Sequence, residues 1–182
     1  SLMGLEVPLK HAAPDDAAVN FDAFLPVAPL NNRFAGTIGA SHADDSRGIV
    51  EAIDSAVQHV MDGVAAAIVT GPIAKKSLYD TGFNFPGHTE YLAHLVETRT
   101  GVGATPVMML SGPELRAVPV TIHVALTSVP NLLSQDLVAQ TIRIAARDLR
   151  TRFGIARPRI AVSGLNPHAG EAGSMGREVS AR

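Results

Sequence analysis

Apolar and polar positions change period several times along this chain, and each change marks a predicted element. Between 46 and 63, Ile49, Val50, Ile53, Val57, Val60 and Met61 recur at helical spacing. They draw one apolar stripe on a helix, with Ser46 as the predicted N-cap and Gly63 as the stop. Residues 64–70 read Val-Ala-Ala-Ala-Ile-Val-Thr, apolar almost throughout and β-branched at the end, which predicts a buried strand. Gly71-Pro72 breaks it. A short helix is predicted over 75–80. Another opens at His88 or Thr89 and runs through Tyr91, Leu92, Leu95 and Val96 to the neighbourhood of Gly101. A third long helix starts at the cap Ser134, buries Val138, Ile142, Ala145, Leu149 and Phe153, and stops at Gly154.

Shorter apolar runs fill the gaps. Residues 106–110, 117–124 and 159–162 are predicted strands, and 23–30, interrupted by Pro26 and Pro29, is an edge strand at best. Residues 1–20 show no clear period, 36–39 read as a turn, and 164–176 form a loop holding Gly164, Gly170, Gly173 and Gly176. Strands alternating with helices predict an α/β class with a mostly parallel or mixed sheet and flanking helices. No repeat or linker divides the chain, so residues 1–182 read as one α/β domain. A chain that stops just past a glycine-rich loop reads as incomplete.

Composition narrows the function more by exclusion than by indication. Hydrophobic residues make up 46% and charged residues 18%, the balance of a globular chain. A net charge of −2, aromatics at 4% and no Trp argue against nucleic acid as a partner. There is no Cys, which excludes disulfides and thiolate metal sites and fits a cytoplasmic location. No apolar run reaches the roughly 18 residues of a membrane span, so no membrane partner is expected.

The chemistry-bearing residues gather after predicted strands. In open α/β sheets, ligands sit beyond the carboxyl ends of strands. Lys75, Lys76 and the turn Gly87-His88-Thr89-Glu90 follow strand 64–70 and suit an anion; the plain alternative is solvated lysines and an ordinary turn. His123 ends predicted strand 117–124, and His168 lies in the loop after 159–162. If those strands are parallel, both imidazoles reach one sheet edge and start a site for Zn²⁺, Ni²⁺ or Co²⁺. A third protein ligand is normally needed. The alternative is that each histidine is a hydrogen-bonded strand-end residue. His11, His42 and His59 read as surface residues and His94 as structural. Gly101-Val102-Gly103-Ala104-Thr105-Pro106 lacks a third glycine and follows a helix, so it is no dinucleotide fingerprint.

Three segments carry a family resemblance: Thr70-Gly71-Pro72-Ile73-Ala74-Lys75, Phe85-Pro86-Gly87-His88-Thr89-Glu90, and Gly164-Leu165-Asn166-Pro167-His168-Ala169-Gly170-Glu171. In order and spacing they resemble the 4-hydroxythreonine-4-phosphate dehydrogenase family of pyridoxine biosynthesis, and Arg150-Thr151-Arg152-Phe153-Gly154-Ile155 is similar too. The resemblance runs from about residue 20 to residue 178. It implies a fold like that of isocitrate and isopropylmalate dehydrogenases, two-lobed, with the active site between the subunits of a homodimer. It implies that His88 and Thr89 bind the phosphorylated substrate, that His123 and His168 are two of three metal ligands, and that Lys75 is catalytic. Ala74 stands where the family has Asn.

The implied reaction is the NAD-dependent oxidation, with decarboxylation, of 4-phosphohydroxy-L-threonine, assisted by a divalent metal (Zn, Mg or Co). The implied partner is a small phosphorylated hydroxy acid. Two alternatives stay open. One is a paralogue acting on threonate or erythronate 4-phosphate, towards which Ala74 and the run Tyr91-Leu92-Ala93-His94 point. The other is a non-catalytic remnant. The family's opening Gly-Asp-Pro-Ala-Gly-Ile-Gly-Pro-Glu segment has no counterpart here, and its third metal histidine, in a Tyr-His-Asp-Gln-Gly segment, falls beyond Arg182. About half of the family's active site is therefore expected within these residues.

Overall fold

The computed structural model describes residues 4, 6–35, 42–73, 75–80, 82–85, 87–166, 168 and 171–174, with Lys75 and Lys76 described by backbone alone. The turn expected at 36–39, Ala74, Pro86, Pro167, Ala169, Gly170, Gly176 and the Lys75 side chain lie outside the described residues. The chain packs as two compact units, Ser1–Pro106 and Val107–Arg182. Its class is α/β, with one parallel and one antiparallel strand pair among the described residues.

The first unit opens with β1 (Leu9–His11), a 3₁₀ turn (Pro14–Asp16), α1 (Ala17–Asn20) and β2 (Leu25–Val27). β1 and β2 pair in parallel, Leu9 opposite Leu25 and His11 opposite Val27. β2 lies inside the proline-interrupted run, and Pro26 is tolerated because a two-stranded ladder has only edges. β1 falls where no period was visible, since three residues are too few to show one.

Then come α2 (Ser46–Met61), α3 (Lys75–Tyr79) and α4 (His88–Thr100). α2 and α4 pack through Ile53, Val57, Tyr91 and Leu95, with Ile49, Val50, Phe83, Phe85 and Leu92 around them. The predicted stripes are thus the buried ones, except for Met61 at the end of the first, which is 40% exposed. Arg99 Nε donates to Gln58 Oε1 across the same pair of helices at 3.1 Å. Gly63 and Gly101 follow α2 and α4 with φ of 75° and 69°, the left-handed turn that favours glycine after a helix.

The cap of α2 differs from expectation. Asp45 holds the N-cap position, and Ser46 is the first helical residue, fully buried. Its hydroxyl donates to the Ser77 carbonyl at 3.0 Å and ties α2 to α3. A fully buried hydroxyl left without a partner is costly, and the Ser77 carbonyl supplies one.

Residues 64–70 also depart from expectation. They form no strand pairing, and Val69 is 98% exposed. Only Ile68 packs against the α2–α4 core. Apolar, β-branched sequence suits a strand, but a strand exists through ladder partners, and no described segment supplies one.

The second unit contains β3 (Leu110–Ser111), β4 (Arg116–Ala117), a 3₁₀ turn (Leu126–Ser128), α5 (Val129–Leu132), α6 (Gln135–Thr151) and a further 3₁₀ turn (Glu171–Gly173). β3 and β4 are antiparallel, so only the ends of the strands predicted at 106–110 and 117–124 are paired. Residues 159–162 are unpaired. These three corrections share the cause just given for 64–70.

α6 follows the sequence closely. Ser134 Oγ accepts from Leu137 N–H at 3.1 Å, and Gly154 has φ of 68°. Thr141, Ala145 and Leu149 are its buried positions. Phe153, expected on that face, is 48% exposed, with the Arg116 guanidinium 5.5 Å from its ring centre. It lies past the end of α6, where the helical period no longer sets its direction, and the cation covers one face of the ring.

Candidate active site

The predicted anion-binding turn opens α4. Gly87 occupies the N-cap position in extended conformation, and among the described residues no side chain caps the first turn. His88 and Thr89 are its first two residues, both half-buried. The first N–H groups of a helix have no intrahelical acceptor, so such an end attracts an anion. Glu90, in the same turn, adds a negative charge that an anion must pass or displace.

Aromatic packing braces this turn. Phe83 and Phe85 sit 5.3 Å apart edge to face, and each ring centre is 4.9 Å from that of Tyr91. The His94 ring stacks on Phe85 at 4.9 Å, in keeping with a structural role. Tyr91 O–H donates to Asp54 Oδ1 at 2.6 Å and fixes the first turn of α4 to α2. Burial first, then Asp54, hold the Tyr91 phenol well above its ordinary range. Tyr91 lies on the apolar run of the predicted helix, whereas Phe83 and Phe85 join the core from outside any predicted element, their one sequence signal being the two-residue spacing just before the turn. Asn32, Arg47, Val50, Phe83, Phe85 and Tyr91 line a cleft of about 450 Å³ beside this cluster.

Lys75 begins α3, and Leu78 on that helix is fully buried. Thr70, Gly71 and Pro72 before it are exposed and Ile73 is half-buried. These residues belong to the first unit.

His123 and His168 belong to the second unit, and both are exposed. Neither follows a paired strand, so the shared sheet edge expected for them is not what positions them. His123 has φ of 55°, a left-handed backbone that a non-glycine residue adopts at a cost. His168 is held by two near neighbours in sequence. Its N–H donates to Asn166 Oδ1 at 3.0 Å, and its ring Nδ1 lies 3.0 Å from Glu171 Oε1. Glu171 and Ala172 have φ of 41° and 56°. Among the described residues no three His, Asp or Glu side chains converge as a metal cage. Neutral imidazole suits a divalent ion of borderline softness, and the His168 ring is exposed and held by a carboxylate. Glu171 ended the third family segment, but sequence spacing could not show that it reaches His168.

The glycines at 101 and 103 do not form a nucleotide loop. Gly101 is the left-handed cap of α4, its N–H bonded to Glu97 O at 2.8 Å. No described helix is long and apolar enough to cross a membrane.

Residues 3–181 match the family described as "Pyridoxal phosphate biosynthetic protein PdxA", and the chain belongs to that family. A relative from Methylorubrum extorquens, named 4-hydroxythreonine-4-phosphate dehydrogenase, is 51% identical over 178 residues, covering 97% of this chain and 51% of its own length. One of the same name from Bradyrhizobium diazoefficiens is 47% identical over 176 residues, with the same coverage of 97% and 51%. The crystal structure of the 4-hydroxythreonine-4-phosphate dehydrogenase of Klebsiella pneumoniae matches with a TM-score of 0.79 at 32% identity, covering 97% of this chain and 53% of that one. The Burkholderia phymatum enzyme matches with a TM-score of 0.78 at 34% identity, covering 96% and 52%. The chain thus spans about half the length of the curated relatives it matches.

Proposed function

We propose that this chain forms part of a cytoplasmic, homodimeric, NAD- and divalent-metal-dependent dehydrogenase, built like isocitrate and isopropylmalate dehydrogenases. It oxidises 4-phosphohydroxy-L-threonine at the hydroxyl β to the carboxylate, with loss of CO₂, in pyridoxal phosphate biosynthesis. The observation that carries this reading is Gly87-His88-Thr89 opening α4, whose first turn no described side chain caps, in a chain whose relatives are named for a phosphorylated hydroxy amino acid.

In this reading, the first N–H groups of α4 and the Thr89 hydroxyl receive the substrate phosphate, and His88 adds a donor. Holding the phosphate fixes the far end of a short substrate and so orients the reacting carbon. His123 and His168 hold the metal together with a ligand from outside these residues. When bound, the ion supplies Lewis-acid polarisation of the substrate hydroxyl. Lys75 takes part in proton transfer at that hydroxyl. No described segment fits the nucleotide, so no step is assigned to it.

Ala74 favours a second reading. It stands where the resembled family carries Asn, next in sequence to the proposed catalytic Lys75. Threonate or erythronate 4-phosphate would then be oxidised.

Calorimetric binding of each phosphorylated acid to the full chain, followed by NADH release with Zn²⁺, Mg²⁺ or Co²⁺, tests both readings. Preference for the amine supports the first, and preference for the hydroxy acids the second. Binding without turnover identifies a non-catalytic lobe. Thr89→Ala should weaken binding roughly tenfold or more, the loss of one charge-assisted bond. Unchanged affinity in that variant refutes the phosphate site.

A further inference from the structure

We propose that Glu171 is a positioning residue for His168, holding the imidazole in the tautomer that leaves Nε2 free to bind a metal. This rests on the metal-dependent reading above. The distance from His168 Nδ1 to Glu171 Oε1 is 3.0 Å. An ionised carboxylate only accepts, so the hydrogen of that bond belongs to Nδ1. In the neutral ring Nε2 then carries the lone pair, which is the form a cation needs. The carboxylate also restrains ring rotation.

The loop holds the two side chains in register. Glu171 N–H donates to His168 O at 3.1 Å, and Ser174 reaches Glu171 O through its N–H at 3.2 Å and its hydroxyl at 2.8 Å. Both side chains are 56% exposed. A polar contact that open to water adds little to stability, so orientation of the ring is the stronger account of it. The same exposure leaves the ring accessible to an ion.

Two measurements on the full chain decide the matter. Two-bond proton–nitrogen couplings of the His168 ring, identified by their absence in His168→Ala, report the tautomer without metal at a pH where the ring is neutral. Co²⁺ titration by calorimetry reports the site. Wild type should carry its proton on Nδ1. Glu171→Ala should move the ring towards the Nε2–H form and weaken Co²⁺ binding roughly 10–100-fold. Glu171→Gln, whose amide oxygen still accepts from Nδ1, should keep the tautomer and most of the affinity.

A wild-type ring protonated on Nε2, or an Ala variant with unchanged tautomer, overturns the proposal. So does an Ala variant that binds Co²⁺ like wild type while His168→Ala binds weakly. If His168→Ala binds like wild type, the metal reading of His168 fails instead, and the tautomer comparison alone upholds or overturns the role of Glu171.

Discussion

Replacing Tyr91 by Phe removes one oxygen from the centre of the first unit and leaves the ring in place. Tyr91 is 7% exposed, and its hydroxyl donates to Asp54 Oδ1 at 2.6 Å. Its ring contacts Phe83 and Phe85 with centres 4.9 Å away, contacts that Phe retains. The variant therefore isolates the hydrogen bond. Bonds to charged groups contribute about 1.5–3 kcal/mol. Asp54 is half-buried, and water can rehydrate it, so the loss should lie near the lower end, about 1.5 kcal/mol.

With a urea slope of about 2 kcal/mol/M, that loss lowers the unfolding midpoint by about 0.75 M. Tyr91→Ala, which also empties the ring's space, should cost about 3–5 kcal/mol. A double-mutant cycle with Asp54→Ala should show coupling of about 1 kcal/mol.

The phenol adds a test in pH. Burial, then the Asp54 hydrogen bond and charge, raise its pKa above the ordinary 10.0, against an opposing Arg99. The folded state thus keeps a proton that the unfolded chain loses. That contribution is complete below pH 10.0 and declines above it. Tyr91→Phe should lack this alkaline decline. A variant with the wild-type urea midpoint, or single-mutant effects that add to within about 0.3 kcal/mol, would refute the coupling.

Two further outcomes follow from local geometry. The Glu51 carboxylate accepts from the backbone and side-chain amides of Asn31 and Asn32 at 2.7–2.8 Å. The Asn31 and Asn32 backbone bonds lead in lowering its pKa from 4.5 to about 2, so its contribution is present above pH 4.5 and lost as pH falls towards 2. A carbon-13 carboxyl titration should place its midpoint at about 2, Glu51→Gln should flatten the acid limb of stability, and a midpoint near 4.5 would remove the clamp. Ser134→Ala deletes the cap of α6 and should cost about 1 kcal/mol in denaturant unfolding, with Ser134→Asp restoring most of it; equal midpoints for Ala and wild type would mean the Leu137 N–H finds another acceptor.

What the sequence determined by itself was mainly helical. α2, α4 and α6 were legible because a helix closes its hydrogen bonds within one segment. Their stripes, their stops at Gly63, Gly101 and Gly154, and the Ser134 cap are all local signals. The family segments were legible for a similar reason: Gly87-His88-Thr89-Glu90 carries both its chemistry and its helix start in four adjacent residues. Tertiary structure decided what depends on partners distant in sequence. Residues 64–70 have strand composition but no ladder, because pairing belongs to two segments and not to one. Ser46 is not the cap of α2, because its buried hydroxyl is bonded to the Ser77 carbonyl. His168 was named by its motif, but only the tertiary structure shows a carboxylate, that of Glu171, 3.0 Å from its ring.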